Sequence, residues 1–191
     1  LIRTGSLYHD VGKLHAPDWF IENQKDGPNP HDALNDPEQS AAVLQAHVDE
    51  GLKLAKRHRL PRPIADFIPE HQGTLKMGFF LHKARQINPN IEERRFRYHG
   101  PPPRSKETGI LMLADGCEAA LRSLPPDTSE AEAKDTVRRI VESRQVDGQL
   151  RKSGLSRSEV ELVVQAFVKV WRRMRHRRIP YPIPARPRHS A

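Results

Sequence analysis

Apolar side chains recur along the chain at three- and four-residue intervals, interrupted by stretches rich in Pro, Gly and polar residues. That spacing predicts helices, because residues i, i+3, i+4 and i+7 share one helix face. A short apolar segment, Ile2 to Tyr8, runs into the turn His9-Asp10-Val11-Gly12-Lys13. Residues 23–37 are turn-formers almost throughout and read as a loop. Over Glu38 to His58, Ala41, Val43, Leu44, Val48, Leu52, Leu54 and Ala55 give the apolar stripe of one amphipathic helix or two abutting ones. Pro63 opens a short helix through Ile64, Phe67 and Ile68 up to His71, and a further helix spans Lys76 to Gln86. Residues 88–104 form a long connection, stiffened by Pro101-Pro102-Pro103.

Ser105, with Thr108 downstream, begins the most apolar helix, which Pro125-Pro126 ends after Leu124. Asp127, Thr128 and Ser129 offer N-caps for Ala131 to Arg144, and Asp147-Gly148 breaks that segment. Ser156 with Glu159 matches a capping box. It opens a helix that buries Val160, Val163, Val164, Phe167, Val168 and Trp171. No alternating strand pattern persists beyond a few residues. The expectation is an all-α fold, with one domain over residues 1–176 and an irregular basic, Pro/Arg-rich tail over residues 177–191.

Composition changes this picture in two places. The 191 residues suffice for one domain with a real core, although 36% hydrophobic residues and a mean hydropathy of −0.73 are low. The net charge of +8 is distributed unevenly. Residues 151–191 hold 11 basic side chains and two acids, Glu159 and Glu161, for a net +9; residues 1–150 hold 21 basic and 22 acidic groups, for −1. A near-neutral body argues against a DNA- or RNA-binding core, which would line its surface with Lys and Arg. The basic end suits contact with an anionic surface such as anionic lipid. The single cysteine, Cys117, excludes an internal disulfide and a Cys-based zinc site, and a reducing compartment is its natural reading. No apolar run approaches a membrane span, and no signal peptide is visible. The chain opens inside what reads as a helix, as a fragment of a longer protein does.

The candidate chemistry lies in a few of the ten histidines and in one aspartate. His9 and Asp10 are adjacent at a helix-to-turn boundary, His47 lies within a helix, and His71 precedes Gln72-Gly73. Asp115 interrupts the most apolar helix, between Leu113-Ala114 and Cys117. A carboxylate there is costly to bury unless it is paired or binds a metal. Imidazole with carboxylate suits Fe, Mn or Zn, and helical side chains projecting into one bundle can build a dinuclear site. Each signal has a plainer alternative: a surface turn for His9-Asp10, a satisfied core histidine for His47, and an ion pair of Asp115 with Arg104, Lys106 or Arg122. His15, His31, His58, His82, His99, His176 and His189 are assigned to surface or loop positions.

Taken together, GSLYHDVGKL, WFIENQ, NPHDAL, SAAVLQAHVDEGLKLAK, LPRPIADFIPEHQGT, FRYHGPPPRSKETGILMLADGCEAALRSL, DGQL and HRRIPYP resemble the HD metal-dependent phosphohydrolases. More closely, they resemble the cytoplasmic HD domain of the seven-transmembrane HD family, the PgpH-type cyclic di-AMP phosphodiesterases. The matches run from about residue 5 to about residue 182.

The resemblance implies an HD-domain helical bundle that hydrolyses cyclic di-AMP to pApA with two divalent transition metals, Mn or Fe. His9, Asp10, His47, His71 and Asp115 match the family's metal ligands, with Asp10 bridging, and Lys13 matches a lysine that faces the phosphate. It further implies a membrane segment upstream, with the domain at the cytoplasmic face of the bacterial inner membrane. Two departures stand out. The family's first histidine lies upstream of His9, beyond this chain, and the second histidine of the family's His-His pair is here Gln72, which ligates more weakly or orients a water. Arg104, Lys106 and Thr74 stand either as phosphate contacts or as structural charges and caps. Tyr98, Phe79 and Phe80 stand between adenine stacking and core packing. The competing readings are an HD phosphohydrolase acting on cyclic di-GMP or another nucleotide, and a cyclic-dinucleotide sensor with a degenerate metal site. The GYP motif of the cyclic di-GMP type is not found.

Overall fold

A computed structural model describes residues 1–24 and 27–175, so the basic tail with His176 and His189 lies outside the described residues. The described residues fold into helices only, apart from one isolated antiparallel bridge between Lys76 and Arg97. The helices are α1 (Ile2–Tyr8), α2 (Pro30–Leu34), α3 (Pro37–Arg57), α4 (Arg62–Ala65), α5 (Phe67–Glu70), α6 (Gly78–Ile87), α7 (Lys106–Arg122), α8 (Glu130–Val146) and α9 (Arg157–Arg175). Short 3-10 turns, Val11–His15, Pro17–Trp19, Ile21–Asn23 and Glu93–Phe96, join them.

The expected all-α class is therefore observed, and most helix starts have a local cause. The Asp36 carboxylate caps α3 by accepting from the backbone N–H groups of Glu38 and Gln39. Capping boxes open α7 at Ser105–Thr108 and α8 at Ser129–Glu132. Ser156 and Glu159 exchange the same reciprocal bonds at the start of α9. Two expectations need correction. The loop over 23–37 contains α2, which Asn29 caps by accepting from the His31 N–H and which Pro30 begins. The helix expected from Pro63 to His71 is broken into α4 and α5 at Asp66.

The core has three parts, one of them a small cluster of Val48, Ala55 and Ile68. At the C-terminal end, α7, α8 and α9 pack Met112, Leu113, Cys117, Leu121, Val137, Val141, Val160, Val164, Val168 and Trp171 together. At the other end, Ala41 of α3 packs on Met77, Phe80, Leu81 and Ala84 of the α6 region and on Phe96. Between them the inner face of α3 is not purely apolar. It buries Ser40, His47 and Gly51 alongside Ala41, Val48 and Ala55, while Leu52 is exposed. That strip of small and polar residues admits the 3-10 turn after α1. A Cβ on Gly12 would lie 1.8 Å from the carbonyl oxygen of His47, so only glycine permits this approach.

Candidate metal centre

Four segments deliver imidazole and carboxylate groups to one point. His9 caps the C-terminal end of α1, and Asp10 leads into the 3-10 turn that Gly12 presses against α3. His47 comes from the inner face of α3, and His71 caps the C-terminal end of the buried α5. Asp115 comes from α7. His9 Nε2 lies 3.1 Å from Asp10 Oδ2 and 3.9 Å from Asp115 Oδ1. The other Asp10 oxygen, Oδ1, lies 3.5 Å from His47 Nε2 and 3.4 Å from His71 Nε2. His9, Asp10 and His71 each offer one ligand atom, all within 4.8 Å of one another.

The three imidazoles are oriented alike. Nδ1 of His9 donates to the Ser6 carbonyl, that of His47 to Leu44 and that of His71 to Ile68. Because a carbonyl only accepts, each ring carries its proton on Nδ1, and each neutral ring turns a bare Nε2 lone pair towards the cluster. Metal-ligating histidines are fixed in this way. His9 Nε2 and Asp10 Oδ1 are buried without a hydrogen-bond partner among the described residues. An acceptor-only, inward-facing donor set with orphaned atoms fits a divalent cation.

The electrostatics agree. Burial works against charge on Asp10, but the hydrogen bonds that the His71 and His9 rings donate from Nε2 once they carry a second proton outweigh it and hold the carboxyl far below its usual range. Burial, the largest cause, pushes His47 down to about 4, so its ring is neutral at ordinary pH. For His9, burial is outweighed by Asp10 and the pKa is raised. Lys13 Nζ lies 2.7 Å from Asp10 Oδ2 and also pairs with Glu22, its pKa raised by Asp10 against the effect of burial. Phe20 and Tyr98 set ring edges against His47, with centroids 5.6 and 5.9 Å away.

The remaining sequence-derived candidates have other partners. Arg104 donates from its backbone N–H and from Nε to Glu70, at 2.8 and 2.7 Å. Lys106 pairs with Glu159 at 2.5 Å, and Thr74 accepts from Gln149 at 2.8 Å while its N–H donates to the same side chain. No side-chain hydrogen bond of Gln72 occurs among the described contacts. Asp115 corrects an expectation: it is not a buried acid, since 39% of its side chain is exposed. None of the three expected cations pairs with it, Arg122 being bound to Glu118. The buried carboxylate is Glu70, 2% exposed, which also accepts from Thr108 Oγ1. Among the aromatics, Phe80 is core, and Phe79 is exposed beneath Lys83. His31 is not a loop residue but lies in α2, donating to the Trp19 carbonyl and packing on Phe80. Glu70, Glu22 and Phe20 carried no sequence signal of their roles beyond lying beside or within the FIENQ and FIPEHQG stretches.

A model of the HD domain family matches residues 1–120. The chain is 49% identical over 187 residues to the uncharacterized protein slr0104 of Synechocystis sp., covering 95% of this chain and 23% of that protein. It is 36% identical over 182 residues to the cyclic-di-AMP phosphodiesterases PgpH of Listeria monocytogenes and of Bacillus subtilis, covering 95% of this chain and 25% of each. The chain thus spans about a quarter of the length of the curated relatives it matches. The crystal structure of the L. monocytogenes PgpH HD domain in complex with cyclic-di-AMP superposes with a TM-score of 0.87 at 34% identity, covering 91% of this chain and 80% of that one. A second crystal structure of the L. monocytogenes PgpH HD domain gives a TM-score of 0.85 at 33% identity, covering 92% of this chain and 81% of that one.

Proposed function

The chain belongs to the HD-domain family, and from that premise we propose that it is the hydrolase domain of a metal-dependent phosphodiesterase that opens cyclic di-AMP to linear pApA. The observation that carries the reading is the set of bare Nε2 atoms of His9, His47 and His71 converging on Asp10, with Asp115 at its edge. The likeness to a PgpH HD domain bound to cyclic-di-AMP supports the choice of nucleotide.

His9, Asp10, His47, His71 and Asp115 would hold two divalent transition metals, Mn or Fe, with Gln72 a weaker candidate ligand. Such ions, when bound, supply Lewis acidity towards a phosphoryl group and an ionisable water near neutral pH. Asp10 is suited to span two ions because its two oxygens face different imidazoles, Oδ2 towards His9 and Oδ1 towards His47 and His71. Its depressed pKa keeps it ionised for that role. Lys13, anchored by Asp10 and Glu22, places a fixed positive charge beside the cluster, where negative charge grows on a phosphoryl group under attack. Hydrolysis of one phosphodiester adds water across the P–O3′ bond and leaves a 5′-phosphate and a 3′-hydroxyl. Arg104, Lys106 and Thr74 are satisfied by Glu70, Glu159 and Gln149, so no structural observation adds to their reading as substrate contacts.

The proposal extends to the setting. In the longer protein the domain would sit on the cytoplasmic side of the bacterial inner membrane, joined to a membrane segment upstream. Its basic tail, outside the described residues, would meet anionic lipid. No helix of the described residues is long and apolar enough to cross a membrane. One residue, Gln72, favours a second reading, a cyclic-dinucleotide sensor that binds without turnover. Incubation of the full-length, anaerobically prepared protein with Mn and either cyclic di-AMP or cyclic di-GMP separates these. The proposal expects pApA as product and slower turnover of cyclic di-GMP. Binding without product would establish the sensor, faster loss of cyclic di-GMP would replace the substrate, and absence of any transition metal would remove the metal mechanism.

A further inference from the structure

Arg144, near the end of α8, is anomalous among the described cations beside the centre. Lys13, Arg97 and Arg104 each meet a carboxylate. Arg144 makes no salt bridge and no side-chain hydrogen bond among the described residues, and its Nε is buried without a partner. A guanidinium carries five donors and cannot shed its charge, so leaving it half-buried and unpaired is costly. Burial indeed depresses its pKa, and the neighbouring carboxylates Asp115 and Asp147 make no salt bridge with it.

The fold nevertheless makes room for it. The guanidinium lies across α7 at Gly116, the residue after Asp115. A Cβ on Gly116 would meet Arg144 Nη2 at 3.0 Å and Ile140 Cγ2 at 3.3 Å. Arg144 also lines a cavity of about 520 Å³ with Leu75, Lys76, Arg139, Glu142 and Asp147. The cation therefore packs on the α7 residue that follows Asp115, with no side-chain hydrogen bond among the described residues.

We propose that Arg144 is an anion contact that receives a phosphate group of the nucleotide at the Asp115 edge of the centre. This rests on the reading of the chain as a cyclic-dinucleotide phosphodiesterase. It adds a contact for a phosphate that the metal ligands and Lys13 do not account for. Charge-assisted bonds to phosphate are strong and, for arginine, commonly bidentate, which lysine cannot reproduce.

The test uses the full-length, Mn-loaded protein and three variants: Arg144→Gln, Arg144→Lys and Gly116→Ala. The last adds a methyl group against the guanidinium while favouring the helix. Arg144→Gln should raise KM for cyclic di-AMP at least tenfold, with kcat within about threefold and Mn stoichiometry unchanged. Arg144→Lys should recover part of the loss, and Gly116→Ala should raise KM in the same direction. A second arm titrates inorganic phosphate by calorimetry, where Arg144→Gln should weaken binding by a comparable factor. Weakened substrate binding with unchanged phosphate binding would still place the contact on the nucleotide. Unchanged KM together with unchanged phosphate affinity would overturn the inference. So would a fall in Mn affinity that accounts for the whole effect, since Arg144 would then act through Asp115. A wild-type protein that cleaves no cyclic dinucleotide would refute the function while leaving the phosphate arm to decide the role of Arg144.

Discussion

Nε2 of His47 and Nε2 of His71 lie 3.4 Å apart in the interior, each on a ring whose Nδ1 is bound to a carbonyl of its own segment. With both protons on Nδ1, neither Nε2 has a hydrogen to offer the other. The contact sets two lone pairs face to face, with the Asp10 carboxylate adding negative charge 3.4 to 3.5 Å from both. In a protein without metal such an arrangement destabilises the fold, and a cation between the three groups removes the conflict.

The first prediction follows from that conflict. A ligand that binds only the folded state stabilises by about 2.7 kcal/mol at 100 times its Kd. For a chain of this size this is roughly 5–10 °C in Tm. Adding Mn to chelator-treated protein should raise Tm by that amount, and Asp10→Ala should abolish both the shift and turnover. A Tm insensitive to Mn would contradict the assignment of the cluster, and unchanged kcat in Asp10→Ala would contradict the bridging role.

Gln72→His tests the departure from the family's His-His pair. If the position faces the second metal, imidazole in place of an amide oxygen should tighten that ion and raise the metal content per chain towards two. Metal analysis with unchanged stoichiometry and affinity would put residue 72 outside the ligand set.

The comparison of sequence with structure turns on what periodicity can record. The helix starts at Ser105, Ser129 and Ser156 were legible because capping is local chemistry between residues three apart. The meeting of His9, Asp10, His47 and His71 at one point was legible because the motif fixes residue types as well as spacing. Asp115 was read as an acid on a buried face, whereas it lies 3.9 Å from His9 with 39% of its side chain exposed. A stripe of Leu and Ala shows that a helix has an inner face, and not on which side of it one residue falls. The buried Glu70, and Arg144 without a partner among the described residues, were invisible, because burial and pairing depend on α5 meeting α7 and α8 meeting Gly116. α2 was missed because its five residues are mostly loop-formers, made helical by Asn29 and Pro30 at its start.

Glu70 gives a stability prediction. The carboxylate is 2% exposed and is satisfied by Arg104 Nε, the Arg104 N–H and Thr108 Oγ1. Arg104→Ala removes the side-chain donor and leaves two, so it should cost about 1–3 kcal/mol in chemical denaturation. Adding Glu70→Gln in the same chain should recover part of that loss, because the charge no longer needs a cationic partner. A double variant less stable than Arg104→Ala by the full cost of Glu70→Gln alone would show the two residues to be independent.

Cys117 should be inert in the folded protein. It is buried within the α7–α8–α9 core, and burial pushes its thiol up to about 12. An unfolded thiol ionises near ~8.5, so at pH 8 the folded chain holds roughly a thousandfold less thiolate. An aromatic disulfide reagent at pH 8 should label the native chain only on the timescale of unfolding and at once in denaturant. Because the native state favours the protonated thiol, this contribution to stability is complete below ~8.5 and is lost as pH rises towards about 12. Rapid native labelling at pH 8 would place the thiol nearer solvent than the core packing allows.

Gly12→Ala makes the most demanding test of how the centre is assembled. The residue lies two positions after Asp10 and four before Ala16, in a 3-10 turn packed against α3. A Cβ there would lie 1.8 Å from the His47 carbonyl oxygen and 2.5 Å from the Gly51 nitrogen. Both are backbone atoms of a helix, so no side-chain rotation can relieve the overlap. The turn must move outward, taking Asp10 away from His47 and His71. Backbone separation of this kind falls among the few mechanisms that cost about 4 kcal/mol or more. Gly12→Ala should therefore be strongly destabilised in denaturant and should lose Mn binding even where enough folded protein remains to titrate. Gly78, whose added Cβ would meet nothing within 4 Å, supplies the control: Gly78→Ala should bind Mn as the parent does. If Gly12→Ala retained both stability and metal, the close approach of the turn to α3 would not be what brings Asp10 to the imidazoles.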